Sequence, residues 1–262
     1  MNNHKNLYSQ PEIYEQAFSY RDYPNECEFL SSVHERWGTN VNLERFLEVA
    51  AGPADHALEL ARRGIVCSAL DLAPTMVQHG RKKAKNAGLA LDYLHGDMVD
   101  FTSDRSFQLV ACLLNSFSYL LSNADVLCHL DAVAEVLEPS GLYVMELSHP
   151  SELFGCDITK KSWTVQSDKG EVTTLWTRLG DYDPLTLVAD FRVSMKFTSV
   201  DGALQEFESR GRQRFFTLNE LHALVQASGR FEIVEVLGKL DVNAQITSPG
   251  EMWRMIPILR KS

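Results

Sequence analysis

The sequence has no apolar run long enough to cross a bilayer, no C-x-x-C pair, no internal repeat and no low-complexity segment. The first absence removes the membrane-spanning class. Five cysteines, Cys27, Cys67, Cys112, Cys128 and Cys156, are odd in number and scattered, which indicates neither a disulfide framework nor a zinc site. Histidines and carboxylates form no cluster at ligand spacing, so no metal is expected. The opening MNNHKNLYSQ lacks the apolar core of a secretory signal, and with the scattered thiols it points to the cytoplasm. Positive charge is scarce: 25 Lys+Arg against 35 Asp+Glu leave a formal charge of −10. That balance disfavours nucleic acid and anionic lipid and leaves a small molecule as the expected partner. The basic run RKKAK at 81–85 reads as a solvated face late in a helix, where cations suit the dipole.

What remains is a soluble α/β pattern. Within 262 residues, 45% are hydrophobic and 23% charged, enough for a sizeable core. Between 46 and 147, apolar runs alternate with helical patterns, the signature of βαβ units and a mostly parallel sheet. Strands are expected at 46–51, 65–70, 90–95, 107–113 and 142–147. A helix follows Ser122 or Asn123 as its cap, with EPSG at 138–141 ending it. Over 163–215 the chain alternates in the strand manner; Leu187, Ala189, Phe191, Val193, Met195 and Phe197 share one side. DYDPLT and SVDGAL read as turns, Asp201-Gly202 being a strong hairpin signal, so an antiparallel meander of about three strands is expected. Thr217 and Glu220 then form a T-x-x-E capping box before a helix that ends near Gly229. FEIVEVLG and MWRMIPILRK supply two more strands. The N-terminal fifty residues are helical in pattern, with Phe29, Leu30, Val33 and Trp37 on one face, and are placed over the carboxyl edge of the sheet. Three segments result: 1–150, a helical cover and nucleoside-binding core; 151–215, an inserted antiparallel region; and 216–262, a helix and two strands completing the first sheet. An exposed edge of the inserted sheet would allow a homodimer.

The stretch FLEVAAGPADHALELARRG at 46–64 has the outline of a nucleotide-cupping strand, turn and helix, but most of the turn glycines are missing. Glu48 and Asp71 stand 71 − 48 = 23 residues apart. That is the distance at which a βαβ unit sets a carboxylate beside a ribose, although an acidic helix cap would also explain Asp71. A dinucleotide needs bare backbone for its pyrophosphate. Here Ala50 and Ala54 replace glycines around Gly52, Pro53 removes an N–H, and Asp55 puts negative charge where an anion would sit. The turn suits a nucleoside with a positive centre, such as S-adenosylmethionine, rather than a diphosphate. An oxidoreductase using a dinucleotide is the reading this turn opposes.

On these residues the chain resembles the class I S-adenosylmethionine-dependent methyltransferases, whose fold is a Rossmann-like, seven-stranded, mostly parallel sheet. E-V-A-A-G-P-A looks like a variant of their acidic-x-G-x-G-x-G motif. The resemblance implies cofactor contacts from Glu48, Ala50 and Gly52 in that turn and from Asp71 at the ribose. In SALDLAPTMV it implies Leu72 and Met76 beside the adenine. In HGDMVDF it implies Asp97 near the adenine amino group and Met98 against the ring, and in FQLVACLLNSFSYL it implies Leu114 and Asn115 at the cofactor. Core packing alone would also account for Met76 and Met98.

Among such enzymes the chain is similar to small-molecule N-methyltransferases acting on sugar amines and, more remotely, on glycine, through the β-rich insertion and the segment EIYEQAFSYRDY. The similarity puts Tyr14 at the acceptor and cofactor, and Tyr119 where sugar enzymes have a histidine, which removes the imidazole base expected there. His149, after the fifth strand, is a candidate proton acceptor or a loop histidine bonded to backbone. Arg21 is a candidate partner for a cofactor or substrate carboxylate, or a surface ion pair. Glu146 points to the same cavity or holds a loop. The expected function is methyl transfer to nitrogen or oxygen of a small molecule. The alternatives are a nucleic-acid methyltransferase and a non-catalytic S-adenosylmethionine-binding protein.

Overall fold

Apolar runs that alternate or run unbroken become strands within a residue or two of the expected positions. They are β1 (Arg45–Val49), β2 (Val66–Asp71), β3 (Leu91–His95), β4 (Phe107–Cys112) and β5 (Leu137–Met145), the last starting earlier than expected. The structure is a computed structural model describing residues 7–38, 42–154, 160–246 and 253–262; Cys156, Met252 and the first six residues of the polar N-terminus lie outside these. The remaining strands are β6 (Leu147–Ser148), β7 (Lys160–Ser167), β8 (Gly170–Asp183), β9 (Val188–Ser199), β10 (Leu204–Arg214), β11 (Phe231–Leu237) and β12 (Arg254–Lys261). Helices are α1 (Pro11–Phe18), α2 (Tyr23–Trp37), α3 (Asp55–Arg62), α4 (Pro74–Asn86), α5 (Asn123–Val136), α6 (Ser151–Phe154) and α7 (Leu218–Ser228).

The main sheet runs β11-β12-β5-β4-β1-β2-β3, with short β6 paired to β12. Only β12 runs against the parallel set, pairing antiparallel with β5, β6 and β11. Both faces of the sheet are covered, which is why β4 is buried at every residue. One apolar layer joins Leu130, Val133, Leu221 and Val225 of α5 and α7 to the sheet; the other joins Phe29, Leu30, Val33, Ala57 and Leu60 of α2 and α3. The strand order changes direction between β1 and β4, where open α/β sheets take ligands at the carboxyl ends.

Local signals set the helix ends. Ser122 and Asp125 close a reciprocal capping box at α5. Thr217 Oγ1 accepts the Glu220 N–H at α7, but the Glu220 carboxylate turns to Arg214 instead of back to the cap. Gly229 ends α7 in the left-handed region. EPSG does not merely stop α5: it already lies in β5, with Ser140 at φ 61°.

The insertion is a four-stranded antiparallel sheet, β10-β9-β8-β7, rather than a meander of three strands. The added strand, β7, has few apolar residues and turns into β8 at Ser167-Asp168-Lys169-Gly170. Gly170 is obligatory there: at φ 137° its hydrogen faces the backbone of Thr198 and Ser199, leaving no room for a side chain. The sheet's inner face shares an apolar cluster with the N-terminal segment, Leu7 and Ala17 meeting Val172, Met195 and Phe207. Polar bonds fix the same contact, from Gln16 Nε2 to the Gly170 carbonyl (2.8 Å) and from Trp163 Nε1 to the Ala17 carbonyl (2.7 Å). On its other side α1 is held to α4, where Glu15 meets His79 and Lys83, each at 2.7 Å. Lys83 therefore does not lie on a free solvated face: it is mostly buried and bridges Glu15 to Asp55.

Candidate functional site

The turn after β1 keeps the backbone of a glycine-rich loop while using alanine. Ala50, Gly52 and Ala54 have φ of 53°, 54° and 61°, all left-handed. An L-residue in that region costs about 1–2 kcal/mol, so the surroundings impose this shape. Asp71, ending β2, supplies part of that constraint: Oδ2 accepts the Gly52 N–H at 2.7 Å and Oδ1 accepts the Ala73 N–H at 2.8 Å. Tyr93 donates its hydroxyl to the Gly52 carbonyl from beneath. Tyr93 can reach it because Gly80 of α4 leaves its ring the space a Cβ would occupy. Ala50→Gly is therefore expected to stabilise the fold by about 0.5–1 kcal/mol, relief of the left-handed strain outweighing the added chain entropy. Ala54→Gly should gain less, since it also gives up a fully buried methyl. Thermal melts compare the two; a lower midpoint for Ala50→Gly refutes the strain.

Tyr14 stands over this turn, its ring carbon 3.8 Å from the space beside Gly52. Its ring packs on Phe18, with centroids 4.7 Å apart, and lies 5.9 Å from that of Tyr8. The Tyr8 hydroxyl is 2.9 Å from that of Tyr119, and the Thr75 hydroxyl donates to the Tyr8 carbonyl at 2.6 Å. Burial, reinforced by neighbouring Tyr119, keeps the Tyr8 and Tyr14 phenols protonated far above their ordinary range. These groups are hydrogen-bond partners rather than bases near neutral pH. Tyr8 has no motif around it and was not expected from the sequence.

The structure brings Tyr14, Gly52 and Asp71 together, with Tyr119 joined to them through Tyr8. Leu72, which follows Asp71, is a large apolar side chain that is 64% exposed. Asp97 is exposed and Met98 half-buried. Leu114 and Asn115, after β4, are both left-handed, at φ 54° and 60°. Their backbone is fixed by Glu146, whose Oε2 accepts the Leu114 N–H and whose carbonyl accepts the Asn115 N–H, each at 3.0 Å.

Several residues expected at a ligand commit their side chains elsewhere. Met76 has no exposed surface and counts among the buried apolar side chains. Asn115 uses Oδ1 to accept the Ser148 N–H at 2.9 Å, tying β4 to β6. His149 bonds its Nδ1 to the Ser151 hydroxyl at 2.7 Å and its backbone N–H to the Trp253 carbonyl, the loop role weighed above.

Glu48 and Arg21 belong to a buried chain of charges unanticipated from sequence. Glu48 gives Oε1 to His56 Nδ1 (2.8 Å) and Oε2 to the Ala57 N–H (3.0 Å), the opening of α3. His56 Nε2 meets Glu26 at 2.7 Å; Arg21 joins Glu26 (2.7 Å) to Glu146 (3.1 Å); Arg254 reaches Glu146 at 2.9 Å. Arg21 is thus an internal ion pair rather than a surface one, at 3% side-chain exposure. Burial opposes charge on His56, but Glu48 and the hydrogen bonds from Glu26 and Glu48 outweigh it and raise its pKa to about 9. With His56 protonated, three carboxylates face three cations.

The pH consequence follows from the sign. His56 titrates higher folded than unfolded, so its contribution is complete below about 6.5 and is lost as pH rises toward 9. Glu48, Glu26, Arg21 and the edge of Tyr23, 5.0 Å from the imidazole, are the groups facing it. Denaturant midpoints should fall from pH 6.5 to 9 in the wild type and fall much less in His56→Gln; equal slopes refute the assignment.

The chain is similar to known proteins in both sequence and fold. A family profile described as "Methyltransferase domain" matches residues 46–141. The chain is 21% identical over 195 residues to a putative methyltransferase of Geobacillus sp. (strain WCH70), covering 74% of this chain and 76% of that one. It is 32% identical over 100 residues to the dTDP-3-amino-3,4,6-trideoxy-alpha-D-glucopyranose N,N-dimethyltransferase of Streptomyces venezuelae, 38% of this chain and 40% of that protein. The fold matches SAM-bound CalS10, an amino pentose methyltransferase from Micromonospora echinaspora, with a TM-score of 0.74 at 22% identity over 99% of this chain and 100% of that one.

Proposed function

We propose that this chain is an S-adenosylmethionine-dependent methyltransferase of the class I fold and that it methylates nitrogen or oxygen of a small molecule, with an amine as first candidate. The observation that carries the reading is Asp71 bonded back to Gly52 in a turn with three left-handed positions. A carboxylate oxygen has more than one lone pair, so Asp71 keeps acceptor capacity for ribose hydroxyls while holding the turn. Pro53 and the alanines leave the turn poor in donors for a diphosphate, so the residues fit an adenosyl sulfonium. Leu72, Asp97 and Met98 would bracket its adenine, and Tyr14 would cover the turn. When bound, S-adenosylmethionine supplies a methyl group already activated for displacement by its sulfonium.

The rest is positioning. Tyr14 and the Tyr8–Tyr119 pair set phenols near the turn, where they can accept an N–H and orient the lone pair of an amine. An amine attacks through a lone pair it already has, so no strong base is needed there. The four-stranded sheet, packed on the N-terminal segment, would shield the reaction from water. The substrate in the name of the Streptomyces venezuelae relative, an amino sugar on a nucleoside diphosphate, gives the first acceptor class to try. Cytoplasmic location, no nucleic-acid partner and a homodimer through an open edge of the small sheet complete the reading; light scattering tests the last.

The decisive experiment is calorimetry with S-adenosylhomocysteine, followed by mass spectrometry of amines and alcohols incubated with enzyme and S-adenosylmethionine. Binding with transfer of one methyl to an amine supports the reading. No heat at millimolar ligand overturns it, and binding without transfer to any class makes the chain a binder only.

A further inference from the structure

His129 lies on α5 with no exposed surface and takes no part in the site as described so far. Its Nδ1 is 2.7 Å from the Met98 carbonyl and its Nε2 is 2.6 Å from the hydroxyl of Tyr143, itself fully buried on β5. A carbonyl only accepts, so Nδ1 carries the proton and Nε2 accepts from Tyr143. Donation therefore runs one way, from the Tyr143 phenol to the imidazole and from the imidazole to the Met98 carbonyl, and bonds aligned in this way polarise and strengthen one another. The Phe117 ring meets the imidazole edge-on, with centroids 5.5 Å apart at 76°. Burial pushes the imidazole down to about 4, against the pull of the Met98 carbonyl and Asp97, so the neutral tautomer is kept.

The imidazole thus touches both loops, the one after β3 through its bond to Met98 and the short turn Ser116–Tyr119 after β4 through the Phe117 ring. A buried ring in contact with both sets their separation. We propose that His129 is a positioning residue for cofactor binding, holding the Met98 loop at the height an adenine ring requires relative to the Tyr119 turn. This rests on the methyltransferase reading. Met98 is half-buried and packs partly on the core; besides the imidazole, its loop is held by the Asp97 carboxylate, which accepts the Val99 N–H at 3.0 Å, and by the bridge between Asp97 and Asp100.

The test is calorimetry with S-adenosylhomocysteine on the full chain and three variants, with steady-state kinetics once an acceptor is in hand. His129→Asn keeps an N–H where Nδ1 stood, His129→Leu fills the space with no donor, and Tyr143→Phe retains the imidazole but frees its tautomer. His129→Leu is expected to weaken binding about tenfold, the loss of one hydrogen bond of about 1.4 kcal/mol. His129→Asn should stay within about threefold of wild type, and Tyr143→Phe should fall between the two. In kinetics the KM for the donor should rise while kcat at saturation holds. Equal losses in the Asn and Leu variants would reduce His129 to packing and overturn the proposal, as would unchanged affinity in His129→Leu. If His129→Leu does not fold, an unchanged affinity in Tyr143→Phe overturns it. Absence of heat with the wild-type chain instead overturns the methyltransferase reading, which keeps the two failures apart.

Discussion

Arg21→Met is expected to lower the free energy of unfolding by about 3–5 kcal/mol, the usual consequence of removing one partner from a buried ion pair. Arg21 stands between Glu26 and Glu146 at 2.7 and 3.1 Å, with 3% of its side chain exposed. Burial pulls its pKa down, and Glu146 and Glu26 more than reverse that, so the guanidinium is fully charged in the fold. Without it, three carboxylates face His56 and Arg254 alone. The apolar replacement fills the volume and isolates the charge effect. Adding Glu26→Gln restores the balance of sign and should recover part of the loss. Urea denaturation of the single and double variants provides the check; a single-variant loss under about 1 kcal/mol, typical of exposed pairs, would show that solvent reaches the chain of charges.

Asp71→Ala carries the second large effect, on binding rather than stability. Two hydroxyls donating to an ionised acceptor contribute about 1.5–3 kcal/mol each, and losing both should weaken S-adenosylhomocysteine by roughly 100-fold or more. Part of that loss comes through Gly52, whose amide is released when Oδ2 disappears. Asp71→Asn separates the two contributions. The amide keeps one acceptor, but its NH2 must face the N–H of either Gly52 or Ala73, so the turn is disturbed although the size of the side chain is unchanged. Calorimetry on both variants decides: an Asp71→Ala constant within threefold of wild type would remove this carboxylate from the donor site.

The sequence made the sheet and its punctuation legible because those signals are local. Ser122, Thr217, Gly229 and the Asp201-Gly202 turn each act within a few residues, and each stands where expected. β7 escaped notice because Lys160, Lys161, Ser162, Thr164 and Gln166 outnumber its apolar side chains; pairing with β8 makes it a strand. The donor turn was half legible. Its order of residues pointed to the ligand class, but that Ala50 and Ala54 adopt glycine's conformation follows only from Asp71 and Tyr93 gripping Gly52 from opposite sides. The chain of charges was not legible at all, since Arg21 and Glu146 are 125 residues apart and no periodicity relates them. The same holds for Tyr8 and Tyr119, 111 residues apart. Met76 shows the converse: the resemblance implies contact with the adenine, core packing accounts for the residue equally, and its side chain has no exposed surface.

The helix α1 has both flanks occupied, by ion pairs to α4 on one side and by Gly170, Trp163 and a shared apolar cluster of the small sheet on the other. It is therefore the strut between the small sheet and the turn after β1, because its Tyr14 lies beside Gly52. A substitution that displaces the small sheet is expected to reach that turn through Tyr14.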